Sequence, residues 1–323
     1  MKVLVTGAAG YIGSVLVRKL LTTGHTVRGF DILLFGGESL ISVYNHPQFE
    51  FIRGDIREKN EVRKALYDID CVIHLAAIVG DPACAKQPTL ANETNWVASK
   101  MIFDLSHEMK NVKRFVFAST CSNYGKMGND GYVDEDSPLK PISLYAELKV
   151  KFEKYLLNSK TRSDFIPTSL RFATAYGISP RMRFDLTVNE FIREVTCGNE
   201  LKIYGEQFWR PYTHVEDLAR ACLIVSEARA KKVDRCVFGV GDTKENYQKK
   251  SIADEIYQLS PDAKIKYVHK DEDPRDYKVE FTKIKKELGF NITKTVPQGL
   301  KEVYDVLRKG IISNPFANRY RNI

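Results

Sequence analysis

MKVLVTGAAGYIG, residues 1–13, runs from an apolar strand through a three-glycine turn into a helix. Val3, Leu4 and Val5 form the short apolar run of a buried strand. Gly7, Gly10 and Gly13 follow in G-x-x-G-x-x-G spacing, and the helical pattern Tyr11 to Leu21 begins inside the turn. One absent Cβ permits the tight turn, another lets a pyrophosphate approach the backbone, and a third lets the helix pack close to the sheet. The helix N-terminus adds free N–H groups and a positive dipole end. Many turns contain three glycines; the strand–turn–helix setting is what predicts a dinucleotide site here, with Gly7, Gly10, Tyr11, Ile12 and Gly13 as its candidate contacts.

Working outward, short apolar runs at 2–6, 26–30, 49–53, 71–75 and 113–119 alternate with helical patterns at 11–22, 58–67, 90–109 and 143–159. That rhythm predicts an α/β chain with a Rossmann-like, doubly wound parallel sheet covered on both faces, joined by a further strand from Phe165 to Phe172. Beyond residue 175 the pattern loosens into helices near 185–196, 215–228, 247–258, 280–288 and 297–308 and strands near 201–204, 236–239 and 264–268. The expected division is a dinucleotide-binding domain over 1–175, carrying the reactive helix, and a smaller C-terminal substrate-binding lobe over 176–323 with segments returning to the main sheet. Phe316, Tyr320 and Ile323 in the tail suggest that it docks on a surface.

Composition sets bounds. The 323 residues are 43% hydrophobic and 28% charged, as in ordinary soluble domains. The net charge of +8 is scattered among acids, which argues against nucleic acid and suits an anionic small substrate. The six cysteines are widely spaced with no C-x-x-C pair, so no metal site is expected and a reducing cytoplasm fits. No apolar run reaches transmembrane length, and a strand starting at residue 2 leaves no room for a signal peptide.

Asp31 ends the second strand, 18 residues after Gly13, where a carboxylate can accept both adenosine-ribose hydroxyls and repel a 2′-phosphate. NAD is therefore expected over NADP. Arg28, inside the strand, faces away by the pleat. Asp55 can accept the adenine amino group while Ile56 packs on the ring, and Leu75, Ala76 and Ala77 close the fourth strand with small groups near the diphosphate or nicotinamide ribose.

Tyr145 and Lys149 form Y-x-x-x-K in a helical stretch, placing phenol and ammonium on one face. A nearby ammonium is expected to lower the phenol pKa toward working pH, so that Tyr145 can exchange the proton of a sugar hydroxyl. Thr120 ends RFVFAST, at the strand end where ligand-facing groups of open α/β sheets collect. His74 and His214 read as structural.

These motifs resemble the extended short-chain dehydrogenase/reductase family, the NAD-dependent nucleotide-sugar epimerases and dehydratases. The resemblance covers essentially the whole length: TGAAGYIG at 6–13, Asp31, GDIR at 54–57, HLAA at 74–77, Asn95, STCSNYG at 119–125, YAELK at 145–149, LRFATAYG at 170–177 and RPYTHVED at 210–217. It implies Tyr145 as acid/base, Lys149 as its tuner and a holder of the nicotinamide ribose, Thr120 at the sugar hydroxyl, and Asn95 as a brace of the cofactor region. Arg210 would grip the nucleotide diphosphate bidentately. Asp273 or Arg275 would complete that clamp, and Thr187 matches a position that meets the diphosphate or base. A homodimer built on helices 90–109 and 143–159 is also implied.

The resemblance fixes oxidation of a nucleotide-linked sugar, most often at C4, better than the step that follows. Sugar 4,6-dehydratases carry T-D-E where this chain has Thr120-Cys121-Ser122, so the elimination pair is absent unless Asp134, Glu135 or Asp136 approaches from a loop. Epimerisation with hydride return is the first expectation. A net 4-dehydrogenase or ketosugar reductase is the alternative, since SPRMRFDLTVNEF, HLAAIVGDPAC and DPRDY are similar to a branch containing a nucleotide-heptose 4-dehydrogenase. A nucleotide-retaining scaffold protein is a third. Thr174 replaces the usual asparagine near the substrate, Val79 and Gly80 follow the fourth strand beside the sugar, and Arg181 and Arg183 are expected to face a phosphate or a carboxylated or bulkier sugar.

Overall fold

The computed structural model describes residues 1–126, 131–270 and 276–322. Its strands are β1 (Lys2–Thr6), β2 (Thr26–Asp31), β3 (Phe49–Arg53), β4 (Cys71–His74), β5 (Arg114–Thr120), β6 (Tyr132–Val133), β7 (Ile166–Phe172), β8 (Thr174–Tyr176), β9 (Leu201–Tyr204), β10 (Trp209–His214), β11 (Val237–Val240), β12 (Asn246–Gln248), β13 (Ile265–Val268) and β14 (Lys278–Val279). Seven of them form one parallel sheet in the order β11-β7-β5-β4-β1-β2-β3.

The pleat explains the double layer. Val3 and Val5 face one apolar cluster with the helices Tyr11–Thr22 and Val215–Glu227, whereas Leu4 between them faces another with Phe115, Phe117 and the helices Ser99–Glu108 and Leu144–Asn158. A strand buried on both sides needs apolar residues at every position, which is why β1 and β4 read as unbroken runs. After β1 the chain builds outward to β2 and β3, then returns to β4 on the other side, so β1 and β4 flank the switch point of the sheet.

The smaller lobe holds a three-stranded sheet, β12-β10-β8, and the pair β13-β9. The sequence reading gave no strands at 174–176, 209–214 or 246–248, because they are short and rich in polar residues. Arg210–Pro211 lies inside β10. Residues 209–211 pair with β12 and residues 212–214 with β8, so Pro211 stands where the strand changes partner and its missing N–H is tolerated. The expected helix 90–109 is three pieces, Pro88–Asn92, a π-helical turn Glu93–Ala98 and Ser99–Glu108. The wider turn carries Asn95.

The reactive helix Leu144–Asn158 is fixed to the sheet by a buried ion pair. Arg171 Nη2 of β7 donates to Glu153 Oε1 at 2.7 Å, with side-chain exposures of 5% and 1%. Arg171 also donates to Tyr124 Oη and the Glu135 carbonyl, both at 3.1 Å, and Ser169 Oγ donates to Glu153 Oε2 at 2.8 Å. Removing one partner of such a pair strands the other charge in apolar surroundings. Glu153→Gln is expected to lower the unfolding free energy in urea by about 3 kcal/mol. Lys301→Ala, which breaks an exposed i,i+4 pair with Asp305, should change it by less than about 0.5 kcal/mol.

Candidate functional site

The cleft opens at the carboxyl ends of β1 and β4. Gly7 has φ +73°, and a Cβ there would lie 2.9 Å from the Ala76 nitrogen, so only glycine lets the two strand-end loops close together. A Cβ on Gly13 would stand 2.0 Å from the Gly7 carbonyl oxygen, which makes Gly13 the helix-packing position. Gly10 is the N-cap of the helix Tyr11–Thr22, in extended backbone with no side-chain cap and no acid in the first turn. A Cβ on it would crowd the Gly7 oxygen at 3.1 Å. The bare turn and uncapped helix end fit a dinucleotide diphosphate. Ile12 packs on the core, while Tyr11 Oη donates to the Gly177 carbonyl at 2.6 Å and so ties the glycine turn to the second half of the chain.

Asp31 stands at the tip of β2. Its Oδ2 accepts from the Ala9 N–H at 3.0 Å and its Oδ1 from the Leu33 N–H at 2.7 Å, with Leu33 in left-handed backbone at φ 63°. Burial raises the Asp31 pKa, against those two N–H groups and the charge of Arg181. Arg28 is turned away into an ion pair with Glu50. Asp55, expected at the adenine, has its carboxylate held by Arg57, with Nη2 at 2.6 Å, which lowers its pKa. Ile56 beside it is buried with Phe30 and Val62.

The β4 exit is a backbone rail. Leu75 N–H donates to the Thr6 carbonyl at 3.2 Å and Ala76 N–H to Thr6 Oγ1 at 3.3 Å, and Ala77 follows half-buried. Asn95 then clamps Ile78 from both sides, accepting its N–H and donating to its carbonyl, each at 2.8 Å. Val79 is half-buried, and Gly80, at φ +99°, starts the helix Asp81–Lys86. Asp81 accepts from Ser143 Oγ at 2.7 Å, and Ser143 caps the reactive helix by accepting the Ala146 N–H at 3.3 Å.

Thr120 ends β5, with Oγ1 accepting the Ser122 N–H at 3.1 Å. Lys149 Nζ donates to the Ala118 carbonyl at 2.7 Å and lies 4.7 Å from the Phe117 ring centroid and 5.8 Å from that of Tyr145. Burial lowers its pKa to about 8. Tyr145 differs from the sequence expectation. Burial pushes its phenol well above the usual range, against the charge of Arg183. The ammonium has found a carbonyl under the strand end, and the phenol sits among Cys84, Leu148 and Ile78.

His74 is structural: it bonds Thr6 at 2.7 Å and Ser99 at 2.9 Å, and burial followed by the charge of Lys149 lowers its pKa to about 3. His214 pairs with Glu302 at 3.0 Å and receives the Glu216 N–H.

Thr174 in β8 is in register with Tyr212 of β10, the strand that carries Arg210. Arg210 is buried, donates to the Trp209 carbonyl at 2.7 Å and lies 5.5 Å from the Tyr277 ring centroid. Tyr277 also faces Tyr124 at 6.2 Å, so it connects the Arg210 neighbourhood to the turn that follows Thr120. Sequence reasoning missed Tyr277, as it missed Asn189, whose amide bonds Tyr11, Gly177 and Arg183; nothing in the spacing of either residue marks it. Thr187 begins the helix Thr187–Thr196. Arg183 is held bidentately by Asp185 at 2.9 and 2.6 Å, whereas Arg181 lies over Phe35 and acts on Asp31. Asp273 and Arg275 lie outside the described residues.

Comparison with known proteins extends this geometry. The model of the NAD dependent epimerase/dehydratase family matches residues 3–241. The UDP-glucose 4-epimerase of Lactobacillus helveticus is 30% identical over 75% of this chain and 76% of its own length. The UDP-N-acetyl-alpha-D-glucosaminuronate decarboxylase of Bacillus cytotoxicus is 28% identical over 95% and 97% of the two chains. The solved structure of MoeE5 in complex with UDP-glucuronic acid and NAD superposes with a TM-score of 0.82 at 28% identity, covering 96% of this chain and all of that one. Since the match runs from the glycine turn past the Tyr145 helix to β11, the chain belongs to the NAD dependent epimerase/dehydratase family, and NAD is its cofactor.

Proposed function

We propose that the protein oxidises C4 of a nucleotide-diphosphate sugar reversibly and acts as an epimerase, returning the hydride to the opposite face of the sugar. The observation that carries this choice lies after Thr120. In place of a carboxylate pair stand Cys121, whose buried thiol donates to the Arg171 carbonyl at 3.4 Å, and Ser122. Nor do the nearby loop acids supply one. Asp134 accepts from Ser137 Oγ at 2.8 Å within its own turn, and Glu135 Oε1 accepts the Gly239 N–H at 2.7 Å. With Cys121 and Ser122 after Thr120, and Asp134 and Glu135 held elsewhere among the described residues, this reading confines proton movement to the C4 oxygen.

Gly7, Gly10 and Gly13 would receive the NAD diphosphate, Asp31 its adenosine ribose, and Lys149 its nicotinamide ribose. Bound NAD supplies the hydride acceptor and, on return, the donor. Tyr145 takes the C4 hydroxyl proton as the C–H bond breaks and restores it to the reduced oxygen. Burial, which raises the affinity of Tyr145 for a proton, favours the first step, and the Arg183 charge, which lowers it, favours the second. Thr120 Oγ hydrogen-bonds the same oxygen. Arg210, buried in β10, binds the substrate diphosphate, whose oxygens match the two-pronged guanidinium.

Incubation with a panel of UDP-, GDP- and dTDP-sugars, followed by NMR and NADH absorbance, tests the reading. A C4-epimerised product without lasting NADH is expected. Stoichiometric NADH with a released ketone would make the protein a net dehydrogenase, and a 6-deoxy-4-keto product a dehydratase. Tyr145→Phe should reduce turnover by about 100-fold or more while NAD remains bound. Arg210→Ala should raise KM for the nucleotide sugar by about tenfold or more, with NAD affinity unchanged, as expected for a lost charge-assisted contact.

A further inference from the structure

The end of the chain lies along the segment that leads into the helix Thr187–Thr196. Phe184 N–H donates to the Tyr320 carbonyl at 2.9 Å, Arg181 Nη2 to the Arg321 carbonyl at 3.1 Å, and Asn322 N–H to Asp185 Oδ2 at 3.2 Å. The Tyr320 ring meets Phe184 edge-on, with centroids 5.6 Å apart, and Phe316 lies 4.6 Å from the Arg193 guanidinium. On the inner side Asn189 donates to the Arg183 carbonyl at 2.9 Å and accepts the Gly177 N–H at 2.9 Å. Residues 177–185 are thus gripped from two sides.

That segment carries Arg181. The residue is 6% exposed, its guanidinium lies 4.2 Å from the Phe35 ring centroid, and it acts electrostatically on Asp31. Its Nε–H has no hydrogen-bond partner among the described residues. A buried guanidinium N–H lacking an acceptor is costly, and it marks a place where an anionic oxygen would be bound strongly. Asp31 does not satisfy it, since its oxygens accept from Ala9 and Leu33.

We propose that Asn318–Asn322 is a positioning strap for the dinucleotide site, holding Arg181 beside Asp31 where it can meet a phosphate of NAD. The proposal rests on the reading that the adenosine end of NAD lies at Asp31. An arginine on an untethered loop would lose its rotamer freedom at the moment of binding; the strap removes that freedom beforehand.

Calorimetric NAD affinity tests this on the full chain, a chain ending at Ala317, Arg181→Gln, the two changes combined, and Asp31→Ala. Truncation and Arg181→Gln should each weaken NAD by about tenfold, the worth of one charge-assisted hydrogen bond. The combination should be no worse than either alone, because both remove one interaction. Tyr320→Ala, a milder change, should weaken NAD in the same direction, whereas Tyr320→Phe should not. A folded truncated chain that binds NAD like the full chain, or losses that multiply in the combination, would overturn the strap. If truncation prevents folding, unchanged NAD affinity in Tyr320→Ala overturns it instead. Unchanged affinity in Asp31→Ala would overturn the placement of NAD, and the strap with it.

Discussion

Glu153 and Arg171 meet inside the protein, between the reactive helix and β7, and their hydrogen bonds extend to Ser169, Tyr124 and the Glu135 carbonyl. Two charges taken out of water hold their geometry only when each finds its partners, so the pair permits little sliding of the helix against the sheet. Tyr145 and Lys149 lie two and one turns before Glu153 on that helix. The placement of that helix against β5, where Lys149 donates to the Ala118 carbonyl, therefore depends on an ion pair set further along it. The same network reaches Cys121, whose thiol donates to the Arg171 carbonyl, and the backbone of Glu135.

Burial is the common condition of the groups assembled at the cleft. Asp31 is raised, Lys149 lowered to about 8 and Tyr145 raised, each first by desolvation. A site in this state favours ligands that bring charge and hydrogen-bonding atoms with them, because they replace the water already excluded. Gly7 and Gly13 allow the backbone to close around such a ligand, and the link from Tyr11 to Gly177 and Asn189 makes the cofactor turn and the second lobe parts of one framework.

The sheet was legible because strands buried on both faces are largely apolar: β1 and β4 could be read with bounds within a residue of those seen, and so could β7, although it carries Thr168, Ser169 and Arg171. The reactive helix was equally plain from its spacing. Less legible were β8, β10 and β12, whose pairing comes from partners far along the chain, and the π-helical turn at Asn95, which no local periodicity announces. At the site, sequence reading named residue types but not their competitors. Asp55 is claimed by Arg57 two residues on, Lys149 by a carbonyl of β5, and Arg181 by the tail. Such choices depend on what lies within a few ångströms after folding.

In the proposed reaction one site both removes and returns the hydride at C4, with Tyr145 carrying the proton. A nucleotide sugar bearing deuterium at C4 distinguishes this from release of the ketone. A product inverted at C4 that retains its deuterium there is expected when turnover takes place in ordinary water. Loss of the label into released cofactor, or its replacement by solvent hydrogen, would contradict it.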